Sequence, residues 1–207
     1  MAALTAIRVE WGIAGRPLDG YEPSGDLHVA VPYDGGILMG VIDGLGHGVE
    51  AAVASREAAH VCEIHAGRAN LLDLMTLCHG ALKHTRGAVL SLAAIDLAAG
   101  SLEWVGIGNV EGILLRGPPA RGKESLLLRG GVVGYKYTPP RASVVPVHIG
   151  DILILATDGI AGAFVSTDPG ALSAQELADH ILACHGKSTD DALVLVVRIL
   201  EPQETLP

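Results

Sequence analysis

The sequence contains few aromatic residues, few cysteines and little positive charge. Phe, Trp and Tyr make up 3% of the 207 residues, so aliphatic side chains must build the core within the 49% hydrophobic content. Three cysteines, Cys62, Cys78 and Cys184, are an odd number without C-x-x-C spacing, which argues against a disulfide framework or a zinc site. Fourteen basic and 23 acidic residues give a net charge of −9, which argues against nucleic-acid binding.

Long apolar runs are absent as well. No window of about 18 residues is free of charge, and Met1–Val9 contains no basic segment followed by an apolar stretch. We therefore expect neither a transmembrane helix nor a signal peptide, and we predict a cytoplasmic protein. Cys62 and Cys78 fall on apolar helical faces, so they are predicted to be reduced, packed thiols.

Apolar periodicity predicts a domain with many strands and three helices. The helices are expected at 49–66, after Asn70, and after Ser173, where Glu176 completes a capping box. Strands do not alternate regularly with helices, so the predicted class is α+β with antiparallel sheets covered by helices. We expect one domain over residues 1–200 and a tail at 201–207. The predicted strands are 7–13, 27–33, 36–42, 88–97, 102–107, 112–116, 125–128, 143–148, 151–156 and 192–200.

Two glycine-rich segments approximate nucleotide-binding motifs but depart from them. Residues 117–124, predicted to be a loop, match a phosphate-binding loop except that Glu124 replaces the Ser or Thr that would meet Mg²⁺. Residues 43–48 would fit a dinucleotide fingerprint only if a glycine replaced Val49. Both interpretations are weak.

Aspartates recur where predicted strands begin or end. Asp43 and Asp158 each follow an apolar strand and precede a glycine, Asp26 begins a strand, and Asp190-Asp191 precede the last strand. A single Asp-Gly is most simply a turn, but four aspartate-bearing loops at strand ends would bring several carboxylates together if the strand ends converge. Carboxylate and carbonyl oxygens are the ligands preferred by Mg²⁺ and Mn²⁺. The pattern therefore predicts a polynuclear metal site.

The order and spacing of these segments resemble the PPM metal-dependent protein phosphatases. The residues that carry the resemblance are Ser24-Gly-Asp26, Val41-Ile-Asp-Gly-Leu-Gly-His-Gly48, Ala156-Thr-Asp-Gly159 and Asp190-Asp191 before an apolar strand. The form is similar to the sporulation stage II E branch, and Gly106–Asn109 and Gly131–Val-Val-Gly134 resemble the free-standing RsbX-type phosphatases. The resemblance implies a β-sandwich of two antiparallel sheets flanked by helices, with phosphorylated STAS-domain proteins of a stressosome-like complex as substrates.

The resemblance also implies a binuclear Mn²⁺ or Mg²⁺ site. Asp43 would bridge the two ions, the Gly44 carbonyl would bind one, Asp158 and Asp190 would complete the other, and Asp26 would hold metal-bound water. Asp191 is the less favoured ligand of its pair. Two such ions activate a water molecule for in-line attack on phosphorus, so no protein nucleophile is required.

The chain departs from the family pattern around the catalytic acid. Protein phosphatase 2C enzymes carry a histidine two residues after the bridging aspartate, where this chain has Leu45, and His47 is the replacement that we consider. No arginine clearly matches their phosphate-binding arginine, although Arg8 and Arg16 are options.

Residues 116–141 contain six basic residues and one acidic residue, Glu124. Arg116, Arg121 and Lys123 are therefore candidates for docking an anionic substrate beside the metal edge, although a solvated loop is the simpler interpretation. The alternative to an enzyme is a phosphatase-fold binding or scaffold module without turnover.

Overall fold

The computed structural model describes residues 7–202, so residues 1–6 and 203–207, which include most of the predicted tail, lie outside the described range. The helices are α1 (Val49–His65), α2 (Leu71–Ala81) and α3 (Ala174–His185), with short 3₁₀ turns at Leu82–His84 and Gly162–Ser166. The strands are β1 (Arg8–Arg16), β2 (Asp26–Tyr33), β3 (Gly36–Gly44), β4 (Ala88–Asp96), β5 (Ser101–Ile107), β6 (Glu111–Arg116), β7 (Gly122–Ser125), β8 (Leu128–Arg129), β9 (Gly131–Val132), β10 (Lys136–Tyr137), β11 (Ser143–Pro146), β12 (Ile152–Ala156) and β13 (Ala192–Leu200).

Two main sheets face each other. One has the order β1-β13-β12-β6-β7 and the other β11-β5-β4-β3-β2, and the strands within each of these orders pair antiparallel. Strand β8 adds to β5 in parallel, and β9 with β10 forms a separate hairpin. This arrangement confirms the predicted α+β class with two sheets.

Apolar side chains fill three layers. Met39 and Val41 of one sheet and Leu153 and Leu195 of the other belong to the cluster between the sheets. A second cluster joins α1 and α2 to the outer face of the β2–β5 sheet, and a third joins α3 to the outer face of the other sheet. Side chains alternate between the two faces of a strand, and both faces of each main sheet are covered, which accounts for the aliphatic composition.

The predicted helix starts agree with the observed caps. The Asn70 side chain accepts a hydrogen bond from the Asp73 amide at 2.9 Å, and Ser173 and Glu176 form the predicted capping box. Cys62 and Cys78 are buried between α1 and α2 with their sulfur atoms 3.9 Å apart, as expected for packed thiols.

The segment after β6 differs from the prediction. Residues 122–125 form the edge strand β7 instead of a loop, and the expected strand at 125–128 is replaced by the end of β7 and the start of β8. Because a strand and not a helix follows Gly117–Arg121, this segment cannot act as a phosphate-binding loop of the helix-capping type. Within residues 7–202, no helix is both long enough and apolar enough to cross a membrane.

Candidate active site

The predicted aspartates converge at one end of the sandwich. Asp26 at the start of β2 is directly opposite Asp43 near the end of β3. In the other sheet, β12 and β13 pair so that Asp158 and Asp190 lie just beyond the same end of the two strands. Thr157 connects the sheets, because its hydroxyl donates to Asp26 Oδ2 at 2.8 Å and also accepts from the Leu193 amide at 2.9 Å.

Three of these carboxylates face a common open cleft of about 340 Å³. Asp43, Asp158 and Asp190 line it together with His47 and Asn109. Asp26 lies behind Asp43 and is only 6% exposed. The fold therefore assembles from distant segments the acidic cluster that the strand ends predicted.

The cluster has strongly perturbed electrostatics. Burial and the neighbouring Asp43 carboxylate raise the pKa of Asp26 to about 8, although its hydrogen bond with Thr157 opposes the shift. Burial, followed by repulsion from Asp158 and Asp190, raises the pKa of Asp43 to about 7. Within residues 7–202, no basic side chain forms an ion pair with any of these carboxylates. Among the described residues, these carboxylates therefore have no direct ion-pair partner.

This donor set suits Mg²⁺ or Mn²⁺, because hard divalent cations prefer several oxygen ligands and neutralise clustered carboxylates. No three Asp, Glu, His or Cys side chains in the described range already enclose a common point at metal-binding distance. Two of the carboxylates are instead turned toward protein donors: Asp26 toward Thr157, and Asp158 toward Asn109. The carboxylate ligands suit divalent ions, although the side chains of the described residues do not adopt a metal-coordinating arrangement.

Gly44 is required by close packing at the end of β3. A methyl group on Gly44 would lie 2.1 Å from the Ala51 carbonyl oxygen of α1. The Gly44 amide donates to the Gly25 carbonyl at 3.1 Å, which fixes the turn beside Asp43. Gly44 therefore lies beside Asp43 in the acidic cluster, as its position in the sequence predicts. Any side chain at this position would clash with α1.

Asp191 accepts hydrogen bonds from the loop between β1 and β2. Its two carboxylate oxygens accept hydrogen bonds from the Leu18 amide at 2.7 Å and the Gly25 amide at 2.8 Å. Since Asp191 is buried and both oxygens are engaged, it fastens the loop between β1 and β2 and leaves the cleft to Asp190. Of the two residues, only Asp190 lines the cleft, and its role as a metal ligand stays a prediction.

His47 lies at the mouth of the cleft, where its ring contacts Tyr21 with centroids 4.0 Å apart. Burial and repulsion from Asp158 raise the pKa of the nearby Asp190 carboxyl, and the proximity of His47 partly opposes this shift. Tyr21 carried no signal in the sequence, because the loop that holds it is placed by the long-range contacts of Asp191.

Three further polar residues surround Asp158 or its neighbours. Asn109 Nδ2 donates to Asp158 Oδ2 at 2.6 Å. Lys187 Nζ donates to the Asp158 main-chain carbonyl, and Arg16 Nη2 donates to the Lys187 carbonyl at 2.6 Å. Arg8 pairs with Leu200 at the opposite end of β1, so only Arg16 of the two considered arginines is at the acidic end.

The basic candidates for substrate docking are far from this end. Glu111 of β6 is opposite Ala156, beside the cleft, whereas Arg116 is at the other end of the same strand. Arg116 forms ion pairs with Asp151 and Glu124, and Arg121 and Lys123 belong to the same remote corner. The expectation that Arg116, Arg121 and Lys123 dock substrate beside the metal edge is therefore corrected: β6 carries them away from it.

The fold is that of PPM-type serine/threonine protein phosphatases. Residues 33–205 match the family model described as Stage II sporulation protein E (SpoIIE). The chain thus belongs to the SpoIIE family of PPM phosphatases, and its class is that of a phosphoprotein phosphatase, as the sequence resemblance implied.

Solved structures agree with this assignment. A chain from work on "The bacterial stressosome: a modular system that has been adapted to control secondary messenger signaling" is 30% identical, with a TM-score of 0.84 over 92% of this chain and 100% of that one. RsbX in complex with magnesium is 22% identical, with a TM-score of 0.82 over 93% and 99%. The catalytic domain of the phosphatase PstP with two manganese ions is 18% identical, with a TM-score of 0.71 over 95% and 100%. No curated protein matches the sequence significantly.

Proposed function

We propose that this protein hydrolyses phosphoserine or phosphothreonine on a cytoplasmic signalling protein, with two Mn²⁺ or Mg²⁺ ions as cofactors. The observation that carries the proposal is the convergence of Asp43, Asp158 and Asp190 on one cleft, backed by Asp26 and without an ion pair in the described part of the chain. Mutually repelling carboxylates in a partly buried site would destabilise a protein that binds no cation, so a scaffold without metal has no reason to hold them together.

The residues that would hold the ions are Asp43 between them, the Gly44 carbonyl on one, and Asp158 and Asp190 on the other, with Asp26 behind. Bound divalent ions would supply a nucleophile at neutral pH by lowering the pKa of water and would neutralise the phosphoryl oxygens. Asp26 is well placed to accept a proton within this site, since it is buried beside Asp43 and hydrogen-bonded to Thr157.

Side chains at the cleft mouth would handle the substrate. His47, exposed and held against Tyr21, is our candidate for protonating the leaving seryl or threonyl oxygen. Lys187 and Arg16 place positive charge near Asp158, which would favour the approach of an anionic phosphoryl group to the acidic cleft. The cleft is open to solvent, which suits a phosphorylated loop of a protein.

The substrate class that we propose is a phosphorylated STAS-domain protein of a stressosome-like complex. Two similarities support it: the 30% identity to a chain studied in the context of the bacterial stressosome, and the near-complete mutual coverage with RsbX. We propose that residues 1–200 form a single phosphatase domain.

Phosphate release from purified phosphorylated STAS-domain protein tests this proposal. We expect release that requires Mn²⁺ or Mg²⁺, stops with EDTA, and exceeds release from an unrelated phosphoserine peptide at the same concentration. Equal rates on both substrates would contradict the STAS assignment but keep the phosphatase activity. Tight binding of the phosphoprotein without release by the wild type would favour a binding module instead.

A further inference from the structure

We propose that Asn109 is a positioning residue that orients the Asp158 carboxylate for metal binding. The inference rests on the proposed function, because it concerns how the chain prepares one of the proposed ligands. Asn109 and Asp158 are 49 positions apart in sequence and line the same cleft, with Asn109 Nδ2 donating to Asp158 Oδ2 at 2.6 Å. No ionisable group is involved on the Asn109 side.

The backbone on both sides of Asn109 is fixed. Gly108 has φ of 95°, and a methyl group on it would lie 2.2 Å from Val89 Cγ1, so this turn can only be made by glycine. The Gly108 amide donates to the Arg129 carbonyl at 2.8 Å. On the other side, the carbonyl of buried Val110 accepts from the Ser91 hydroxyl at 2.7 Å. The turn between β5 and β6 therefore presents the amide of Asn109 from a rigid support.

The amide group suits this task better than a charged group would. It occupies one oxygen of Asp158 and leaves the second oxygen available as a ligand. An amide adds no further negative charge to a cluster of carboxylates, and it does not repel cations as a lysine or arginine would. Lys187 holds the main-chain carbonyl of the same residue, so Asp158 is fixed at both its backbone and its side chain.

A merely structural role does not fit the position of Asn109. Its side chain is exposed at the cleft, and its contact with Asp158 is an exposed hydrogen bond. Truncating it leaves no buried polar group without a partner, so the fold should not depend on it. Its removal should therefore change metal affinity and leave thermal stability in the absence of metal unchanged.

The test is Mn²⁺ titration by isothermal calorimetry of the full chain, comparing the wild type with Asn109→Ala and with Glu111→Ala as a matched control. Glu111 is an exposed residue near the same turn that does not line the cleft. We expect Asn109→Ala to weaken the binding of one Mn²⁺ by about 10- to 100-fold. Glu111→Ala should bind Mn²⁺ like the wild type, and both variants should unfold at the wild-type temperature in EDTA.

Turnover at saturating Mn²⁺ provides the second readout. We expect Asn109→Ala to recover most of the wild-type kcat there with an unchanged KM, because its defect lies in ion binding. Unchanged Mn²⁺ affinity, or a raised KM with normal Mn²⁺ affinity, would overturn the positioning role. A lower unfolding temperature in EDTA would overturn it too, since the residue would then be structural.

The two proposals fail in different ways. A wild-type protein that binds Mn²⁺ but hydrolyses no phosphoester would refute the proposed function, while the calorimetric comparison would still decide the role of Asn109. A wild-type protein that binds no Mn²⁺ would refute both.

Discussion

Asp26 and Asp43 occupy directly opposed positions on the antiparallel strands β2 and β3. Opposed residues of such a pair have side chains on the same face of the sheet, so two carboxylates are held as neighbours in a largely buried site. Burial and the Asp43 carboxylate raise the pKa of Asp26, while burial, Asp158 and Asp190 raise the pKa of Asp43. The Thr157 hydroxyl donates to Asp26, and among the described residues neither carboxylate has an ion-pair partner. The ionised cluster thus carries excess negative charge, which a bound divalent cation would neutralise.

A first prediction concerns the stability of the metal-free protein. The pKa values of Asp26 and Asp43 are raised from 3.8 to about 8 and about 7. Between about pH 4 and these values, the folded state binds more protons than the unfolded state, so the free energy of unfolding falls as pH rises. One pKa unit corresponds to about 1.4 kcal/mol. Urea unfolding in EDTA should therefore show lower stability at pH 8.5 than at pH 5.

The control for this experiment is Asp43→Asn, which removes one charge of the pair. We expect this variant to depend less on pH across the same range and to be more stable than the wild type at pH 8.5 in EDTA. Added Mn²⁺ should stabilise the wild type far more than the variant. Wild-type stability that rises steadily from pH 5 to pH 8.5 without metal would count against the assigned electrostatics.

Replacement by asparagine should affect different properties at the adjacent residues Asp190 and Asp191: Mn²⁺ affinity at Asp190 and folding stability at Asp191. Asp191→Asn replaces a buried acceptor of two backbone amides by a group that can accept only one of them well, so it should cost about 1–3 kcal/mol of unfolding free energy. Asp190→Asn should retain stability and lose Mn²⁺ affinity. Chemical denaturation and calorimetry separate the two. Equal losses of Mn²⁺ affinity in both variants would contradict the division of roles.

The Tyr21 ring should matter for turnover through His47. Aromatic contacts of this kind are worth about 0.5–1.5 kcal/mol, so Tyr21→Ala should lower kcat by about two- to tenfold. Tyr21→Phe keeps the ring and should behave like the wild type. In a His47→Gln background, Tyr21→Ala should add little, because the group that it positions is gone. Independent, multiplicative effects of the two substitutions would show that Tyr21 acts elsewhere.

The remote basic corner should affect folding and not catalysis. Arg116→Met would leave buried Asp151 without its cation, which we expect to cost about 3 kcal/mol in urea unfolding. Arg121→Gln, an exposed neighbour in the same corner, should be neutral. Both variants should retain Mn²⁺-dependent hydrolysis of phosphoprotein while folded. A selective loss of phosphoprotein turnover in Arg121→Gln would restore the docking hypothesis that the structure argues against.

Much of the site could be predicted from the sequence because its ligands follow a local rule. Asp43 and Asp158 end apolar strands before a glycine, and this pattern is visible without knowing how the strands pair. The caps at Asn70 and Ser173 are local in the same sense. The contacts of Asn109, Tyr21 and Asp191 could not be predicted, because they join segments far apart in sequence.

The prediction that the basic segment lies beside the acidic edge was wrong for a similar reason, because it too depends on how distant strands pair. Charge counting identified Arg116, Arg121 and Lys123 as a group but could not determine the direction in which β6 leaves the acidic edge. The edge strand β7 was missed because Gly122 and its polar neighbours resemble a loop, and pairing with β6 overrides that local preference.

The central claim is that the acidic cleft is a metal centre that hydrolyses phosphoesters. Hydrolysis of p-nitrophenyl phosphate tests it most directly, with wild type, Asp43→Asn and the exposed-turn control Asp34→Asn assayed with Mn²⁺ and with EDTA. We predict Mn²⁺-dependent turnover by the wild type and by Asp34→Asn, abolished by EDTA and reduced at least about 100-fold in Asp43→Asn. Turnover that survives EDTA, or that is unaffected in Asp43→Asn, would contradict the account.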